Sequence, residues 1–207
     1  TIGLYASLIV VFAGIGFGVM CALNQNKFID RFFMVLSTLG ATIPSFVLAT
    51  GFLFIFSKTL GWVPSFGVDT AAGYIGPIVV IGAFSLSFIT RLTRTSLLEV
   101  QQQDYIRTAR SKGISEFKVT YKHALRNALL PVITYVGPMV ASIVTGSFVI
   151  EKVFGIPGVG SLFTNSIINR DYPLIMGITV FFAILLIISV LIVDFIYVLV
   201  DPRIKLD

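Results

Sequence analysis

The residues from Glu99 to Pro131 read EVQQQDYIRTARSKGISEFKVTYKHALRNALLP, and they form the one long polar segment of an otherwise apolar sequence. Apolar stretches long enough to cross a bilayer lie on both sides of it. Because ionised side chains are costly in hydrocarbon, we predict that this segment lies in water between two membrane spans. Its length and its many helix-forming residues favour a docking element for a soluble, energy-supplying partner over a simple connection.

The composition indicates a membrane protein with several spans. The 207 residues are 56% hydrophobic and 12% charged, whereas soluble domains carry about 25% charged residues. The formal net charge is +5, and basic residues collect in the cytoplasmic loops of membrane proteins. We therefore expect the lipid bilayer, and no nucleic acid, as the surroundings of this chain. Cys21 is single, so a disulfide within the chain is impossible.

The predicted fold is an all-α membrane protein, a polytopic helical bundle that forms a single transmembrane domain over residues 1–207. We predict about five spans from apolar stretches of sufficient length. They cover residues 5–23, 32–56, 77–95, 131–150 and 174–200. A polar loop at 99–130 lies on one side of the bundle, and loops at 57–76 and 151–173 lie on the other.

The distribution of basic residues predicts the orientation. One side carries most of them: Lys27, Arg31, Arg91, Arg94, Arg107, Arg110, Lys112, Lys118, Lys122, Arg126, Arg203 and Lys205. The opposite side carries Lys58, Lys152 and Arg170. The positive-inside rule therefore places loop 99–130 and the C-terminus in the cytoplasm. The first span then begins outside, and we expect an N-terminal span before it.

Several spans contain small or polar residues. Gly14 and Gly18 form a GxxxG pair that favours close approach of another helix. Pro44 is expected to kink the second span, because proline lacks a backbone donor. The candidate residues for the lining of a transport pathway are Thr42, Ser45, Gly137, Ala141, Thr145 and Asp194. Ordinary helix packing or an interhelical hydrogen bond also suits these residues, and the sequence leaves both interpretations open.

Loop 99–130 is predicted to form two short helices. Residues 104–112 contain good helix formers, and Gly113 ends them. Ser115 is a candidate N-cap for a second helix over residues 116–130, which would run into the next span. Two helices joined by a glycine make a compact elbow on the cytoplasmic side.

An apolar ridge marks the first helix of this loop. Tyr105, Ile106 and Ala109 stand between basic residues and are expected to insert into a groove of a partner. A solvated basic loop or a patch for lipid headgroups explains the same residues equally well.

The sequence offers no catalytic constellation. His123 is the single histidine, and it has no second histidine or neighbouring cysteine with which to hold a metal. The G-x-x-x-x-G-K-[ST] phosphate loop is absent, so ATP binding by that route is excluded. We expect no enzyme activity, no metal site and no bound cofactor in this chain.

Several motifs together resemble a known family. They are IPSF at 43–46, RLTRTSLLEV at 91–100, QDYIRTARSKG at 103–113, HALRNALLPV at 123–132, FGIPGVGSLFTNSIINRDYPLIMG at 154–177 and VDFIYVLVDPRIK at 193–205. In this combination the chain resembles the membrane permeases of ABC importers, specifically the oligopeptide and dipeptide permease B type. The polar loop resembles the cytoplasmic "EAA" loop of that family.

The chain departs from the general EAA pattern at two places. Arg107, Thr108 and Ala109 stand where the pattern has Glu-Ala-Ala, and Arg126 stands where it has a proline. Gly113 is retained. The arginine variant resembles the peptide-importer branch, so docking is still expected, but a salt bridge through the glutamate position is not.

The resemblance implies a subunit without chemistry of its own. Family members have six spans and work with a second homologous permease, two ATP-binding subunits and an external substrate-binding protein. The partner ATPases would use ATP and Mg, and alternating access would carry oligopeptides or dipeptides across the prokaryotic cytoplasmic membrane. Within the family, importers of nickel or another small solute are the alternative. An ion-coupled carrier or channel is a less favoured class, because such proteins usually have coupling carboxylates at the middle of the membrane. Asp194 is the only carboxylate inside a predicted span, and it lies near the end of that span.

The resemblance also assigns two sets of site residues. The ATPase-docking, or coupling, helix would comprise Tyr105, Ile106, Arg107, Thr108, Ala109, Arg110, Lys112 and Gly113. The outer loop that faces the binding protein or a gate would comprise Phe154, Gly155, Pro157, Gly158 and Gly160.

Overall fold

The computed structural model describes the backbone of residues 1–145 and 147–200, and the side chains of these residues except 145, 193, 194 and 196–200. This part of the chain is helical, and it contains no strand. The α-helices are α1 (Ile2–Leu23), α2 (Phe28–Thr42), α3 (Ser45–Phe52), α4 (Ile75–Gln101), α5 (Asp104–Ser111), α6 (Glu116–Lys118), α7 (Leu125–Ala128), α8 (Leu130–Thr145), α9 (Phe148–Phe154), α10 (Val159–Asn169) and α11 (Tyr172–Val200). The prediction of an all-helical bundle is confirmed.

The bundle is built around α1 and α4, which lie side by side and run in the same direction. Glycines on α1 let the two backbones approach, because a Cβ at Gly14 would lie 2.7 Å from Ile89 and one at Gly18 would lie 2.5 Å from Thr93. The predicted close approach of another helix at Gly14 and Gly18 is confirmed, and the helix that approaches is α4.

Three buried clusters follow one another along this pair. The first contains Ile150 and Phe154, with Ile2 at the start of α1 packed against them. The second lies midway and contains Ala6, Val10 and Ile89. The third lies at the other end and includes Val19, Ala22 and Leu97. The apolar core is thus continuous from one end of α1 to the other.

The second predicted span is broken at Pro44. α2 ends at Thr42, and Ile43 has the extended backbone (φ −77°, ψ 125°) that a residue before proline favours. α3 then continues through a π-helical turn, Leu53–Thr59, and the two halves meet at 110°. A kink within one continuous helix was the expectation, and the finding is a full break, because both Pro44 and its predecessor leave the helical conformation.

An ion pair joins α2 to α4. Arg94 donates two hydrogen bonds to Asp30, from Nε to Oδ1 at 2.6 Å and from Nη2 to Oδ2 at 2.7 Å. The Asp30 side chain is 3% exposed, and its Oδ2 also accepts the backbone N–H of Asn26 at 2.8 Å. Arg94 lies near the end of the predicted span 77–95, and the structure pairs it there with a buried carboxylate.

Three helical segments are long and apolar enough to cross a membrane, namely Ile2–Leu23, Ala71–Gln101 and Tyr172–Ile192. The bent pairs Phe28–Thr42 with Ser45–Thr59, and Glu116–Ala128 with Leu130–Val144, raise the number to five if each is one span. This count concerns the described residues, and the five-span topology stays a prediction.

The helix predicted over 131–150 also divides. α8 ends at Thr145, and α9 begins after an extended Ser147. The loop predicted at 151–173 is largely helical in the structure. Its first residues belong to α9, which ends at Phe154, and α10 covers Val159–Asn169. α11 packs chiefly against α8 and leaves most of its apolar side chains exposed.

Candidate functional site: a helical elbow and a glycine-rich corner

The elbow consists of residues 104–128 and has two arms. The first arm is α5, and the second is α6, a π-helical stretch (Val119–Ala124) and α7. Gly113 lies between them with φ +74°, a left-handed conformation that favours glycine. Its N–H donates to Arg110 O at 2.9 Å, and Ile114 N–H donates to Ala109 O at 3.3 Å, which satisfies carbonyls at the end of α5.

Side chains join the two arms at two places. At the corner, Arg110 donates to Glu116 from Nε at 2.9 Å and from Nη2 at 3.3 Å. Nearer the bundle, Asn127 Nδ2 donates to the Tyr105 hydroxyl at 2.8 Å. Ser115 takes the N-cap position with extended backbone, but its side chain makes no capping hydrogen bond. The elbow is therefore a closed unit rather than two independent helices.

The apolar ridge of α5 faces the protein's own core. Ile106 is 0% exposed and Ala109 is 7% exposed, and both belong to the cluster that contains Val19, Ala22 and Leu97. The hypothesis that these two side chains insert into a partner is wrong, because the second arm and the ends of α1 and α4 already enclose them. Tyr105 is 44% exposed, although its hydroxyl bonds to the second arm.

The outer face of α5 is polar and exposed. It presents Arg107, Thr108, Arg110 and Lys112, and it ends at the exposed Gly113. Arg107 lies 3.7 Å from Asp104, and both side chains are largely in solvent, so this pair fixes little. A partner that approaches α5 therefore meets guanidinium, ammonium and hydroxyl groups.

The second arm carries an aromatic pair that the sequence analysis did not single out. Phe117 is 71% exposed and Tyr121 is 46% exposed. Their ring centroids lie 4.5 Å apart. The i, i+4 spacing of two aromatic residues in a polar helix was a signal for this pair, since such residues share one helix face.

The second candidate region is the corner between α9 and α10, which contains the sequence GIPGVG. Gly155 ends α9 in a left-handed conformation (φ +63°), as the predicted break requires. Phe154 is buried and lies 6.4 Å from the Phe52 ring, and Gly160 is also buried. Gly155 and Pro157 are exposed, and Gly158 is half-buried, so only part of the predicted outer-loop set faces outward.

A carboxylate holds this corner together. Glu151 Oε2 accepts the backbone N–H of Ser161 at 2.7 Å, in the first turn of α10. A Cβ added to Gly158 would lie 2.4 Å from the Glu151 carboxyl carbon, so the loop needs glycine there for space. Burial raises the pKa of Glu151, and this effect exceeds the opposing one of the N–H groups of Ser161 and Gly160. The sequence analysis missed Glu151, because its partners lie on the following helix.

The four proposed pathway residues whose side chains the structure describes lie at two places, the break at Pro44 and α8. Thr42 and Ser45 flank the break at Pro44 and are exposed, with Thr42 Oγ1 donating to Thr38 O at 2.8 Å. Gly137 and Ala141 are buried on α8, and Ala141 borders a small cleft between α8 and α11. The side chains of Thr145 and Asp194 lie outside the described residues, so their predicted roles stay predictions.

Comparison with known sequences identifies the class of protein. A sequence model described as "binding-protein-dependent transport system inner membrane component" matches residues 14–206. The match spans nearly the whole chain, and the chain belongs to this family.

Individual relatives extend the comparison. The chain is 50% identical over 205 residues to the dipeptide transport system permease protein DppB of Bacillus subtilis (strain 168), covering 99% of this chain and 67% of the relative. It is 44% identical over 206 residues to the oligopeptide transport system permease protein OppB of Haemophilus influenzae, with the same coverage of 99% and 67%. The predicted resemblance is confirmed, and the chain spans about two thirds of the length of these relatives.

A solved structure has the same fold. The methionine ABC transporter MetNI, in a crystal form described as inward facing, superposes with a TM-score of 0.75 at 18% identity. The superposition covers 97% of this chain and 91% of that one. At this identity the likeness concerns the fold alone.

Proposed function

We propose that this chain is a transmembrane subunit of an ATP-driven ABC importer that brings peptides into the cytoplasm. Family membership supports the importer class, and the names of the dipeptide and oligopeptide permeases support the cargo. The observation that carries the proposal within the molecule is the elbow, a closed polar projection rooted in the core between α1 and α4. Catalysis of ATP hydrolysis, with its Mg, belongs to partner subunits.

The proposed orientation places the elbow in the cytoplasm of a prokaryotic cell. Most basic residues lie at the end of the bundle that carries the elbow, and few lie at the end that carries the α9–α10 corner. The C-terminus is then cytoplasmic, and the GIPGVG corner faces the external substrate-binding protein or forms part of a gate. A second homologous permease would complete the translocation pathway, to which Thr42, Ser45, Gly137, Ala141, Thr145 and Asp194 are candidate contributors.

The elbow would act as a coupling element through its outer face. Tyr105, Arg107, Thr108, Arg110, Lys112 and Gly113 would contact an ATP-binding subunit, while Ile106 and Ala109 anchor the elbow to the bundle. Movement of the ATP-binding subunits would displace the elbow, and the buried anchor would transmit this displacement to α1 and α4. Such a rigid-body change between two states is a common transport mechanism.

Copurification and uptake test this proposal together. The full-length tagged subunit is extracted from its native membrane in mild detergent, and its companions are identified by mass spectrometry. We expect a second permease and two ATP-binding subunits, and ATP-dependent uptake of peptides by vesicles that contain the complex. A homo-oligomer without ATP-binding subunits would overturn the importer, whereas uptake of nickel in place of peptides would overturn only the cargo.

Gly113→Pro tests the coupling role of the elbow. Proline cannot adopt φ +74°, so the corner must change shape. We expect the assembled complex to hydrolyse ATP with at least a tenfold loss of peptide uptake per ATP. Gly16→Ala on the exposed side of α1 is the control, because a Cβ there meets nothing within 4 Å. Unchanged uptake per ATP in Gly113→Pro would show that the elbow is not the coupling element.

A further inference from the structure

The aromatic pair on the second arm is the exposed apolar part of the elbow. All residues of the elbow are described, and its exposed large apolar or aromatic side chains are Tyr105, Phe117 and Tyr121. Tyr105 is tied to Asn127 through its hydroxyl. Phe117 and Tyr121 instead pack on each other, with ring planes inclined at 35°, and Phe117 stays largely exposed. Leaving a phenylalanine 71% exposed is unfavourable unless something covers it.

We infer that Phe117 and Tyr121 anchor the ATP-binding subunit, as an apolar contact surrounded by basic residues. This inference rests on the proposed function and adds a specific contact to it. On α5, Ile106 and Ala109 lie in the core, and the half-exposed Tyr105 is held by Asn127 through its hydroxyl. Aromatic side chains, phenylalanine included, are enriched in the cores of protein interfaces, and tyrosine is among the residues that often contribute most of the binding energy.

The charges around the pair define the chemistry of the partner surface. Lys118 and Lys122 are exposed and adjacent to the rings in sequence, and Lys112 is exposed at the end of α5. The nearby carboxylate of Glu116 is already paired with Arg110. The complementary surface is therefore an apolar pocket with carboxylates at its rim, continuous with the groove that receives the outer face of α5.

The position of Phe117 favours a soluble protein over lipid. Phe117 precedes Leu130 by 13 residues, which corresponds to about 20 Å along a helix at 1.5 Å per residue. The second arm is bent by 51° from α8, which leaves about 12 Å along the α8 axis. If α8 enters hydrocarbon at its first residue, Phe117 lies beyond a headgroup layer of about 5–8 Å.

Photocrosslinking tests the inference directly. A benzophenone amino acid replaces Phe117 in the full-length subunit, which is expressed with its partner subunits in the native membrane and irradiated. We expect a covalent product with the ATP-binding subunit. The same replacement at Phe66 is the matched control, because Phe66 is also 71% exposed but lies before α4 at the opposite end of the bundle. A product with lipid alone, or with the second permease alone, would overturn the inference.

Substitution gives a quantitative second measurement. Phe117→Ser with Tyr121→Ser should reduce retention of the ATP-binding subunits in mild detergent by about tenfold or more, since truncated aromatic anchors commonly cost that much. Phe117→Tyr with Tyr121→Phe keeps both rings and should retain them, and Phe66→Ser should behave as wild type. Full retention by the double serine variant would overturn the inference. If the wild-type complex itself contains no ATP-binding subunit, the proposed function fails instead, so the two failures are distinguishable.

Discussion

Two carboxylates, one at each end of the bundle, hold the chain in different ways. Asp30, near the elbow, receives both a guanidinium and a backbone N–H, and its side chain is 3% exposed. Glu151, in the α9–α10 corner, is half-buried and accepts the backbone N–H of Ser161 at the start of α10. The ion pairs among the described residues do not include it. The elbow end is therefore fixed by a full ion pair, whereas the corner is held by backbone hydrogen bonds to a carboxyl group whose pKa is raised by burial.

The difference between the two carboxylates has a functional meaning under the proposed mechanism. The elbow must transmit force, so a bidentate ion pair that joins α2 to α4 beside it resists deformation. In the proposed orientation the corner faces the outside, and its contacts would change during transport. A single carboxylate on a helix N-terminus is a weaker and adjustable connection.

The largest expected effect comes from removing one member of the ion pair. Asp30→Ala leaves the Arg94 guanidinium, whose side chain is 21% exposed, without its partner. We expect a loss of about 3 kcal/mol of folding free energy, the lower end for removing one member of a buried pair. The measurement is the unfolding midpoint of the purified subunit in mild detergent. Asp30→Arg with Arg94→Asp is the control, and we expect it to recover part of the loss. A single variant as stable as wild type would show that the pair contributes nothing.

A smaller loss is expected from truncation of the corner carboxylate. Glu151→Ala leaves the Ser161 N–H without its acceptor, at a cost of about 1.5–3 kcal/mol. Glu151→Gln keeps an acceptor oxygen of the same reach, and its stability should stay within about 1 kcal/mol of wild type. Equal losses in the alanine and glutamine variants would mean that the charge, rather than the hydrogen bond, holds the corner.

Gly158→Ala tests the close contact between Gly158 and Glu151 in the same corner. Its Cβ would meet the Glu151 carboxylate, and overpacking of this kind costs about 1–3 kcal/mol. In the Glu151→Ala background the space is free, so the added cost of Gly158→Ala should fall to a few tenths of a kcal/mol in a double-mutant cycle. Additive losses in the double variant would contradict the steric explanation.

The smallest effect is a dependence of stability on pH. Burial raises the folded-state pKa of Glu151 above its ordinary value of 4.5. Between the unfolded-state pKa and the higher folded-state pKa of Glu151, the folded protein keeps a proton that the unfolded chain has lost. Stability therefore falls as pH rises through this window. We expect the unfolding midpoint of the wild type to decrease over that window and that of Glu151→Gln to change less. Identical pH profiles for the two proteins would assign the dependence to other groups.

The sequence was informative where a local rule acts alone. Gly113 in a run without other helix breakers predicted the corner of the elbow, and Gly14 with Gly18 predicted a close helix contact. Pro44 predicted a disturbance, but not a bend of 110°, because the angle depends on how α3 packs against α4 and α9.

Contacts between residues far apart in the chain could not be predicted from the sequence. The spacing of Ile106 and Ala109 predicts an apolar ridge on α5, but it does not say whether the ridge faces a partner or the chain's own core. The positions of α1 and α4 determine that it faces the core. The Asp30–Arg94 pair joins residues 64 positions apart, and no local sequence pattern predicts that they meet. Glu151 likewise accepts the Ser161 N–H only because α10 packs against α9 in the folded chain.

The ion pair also has a consequence for how the protein is made. Asp30 leaves the ribosome 64 residues before Arg94, so at about 5–20 residues per second it lacks its guanidinium partner for roughly 3–13 s. During that interval α1 and α2 contain a carboxylate with no cation from α4, and Gly14 and Gly18 of α1 lack their α4 neighbours. α1 and α2 can therefore reach their final packing only after α4 has been made.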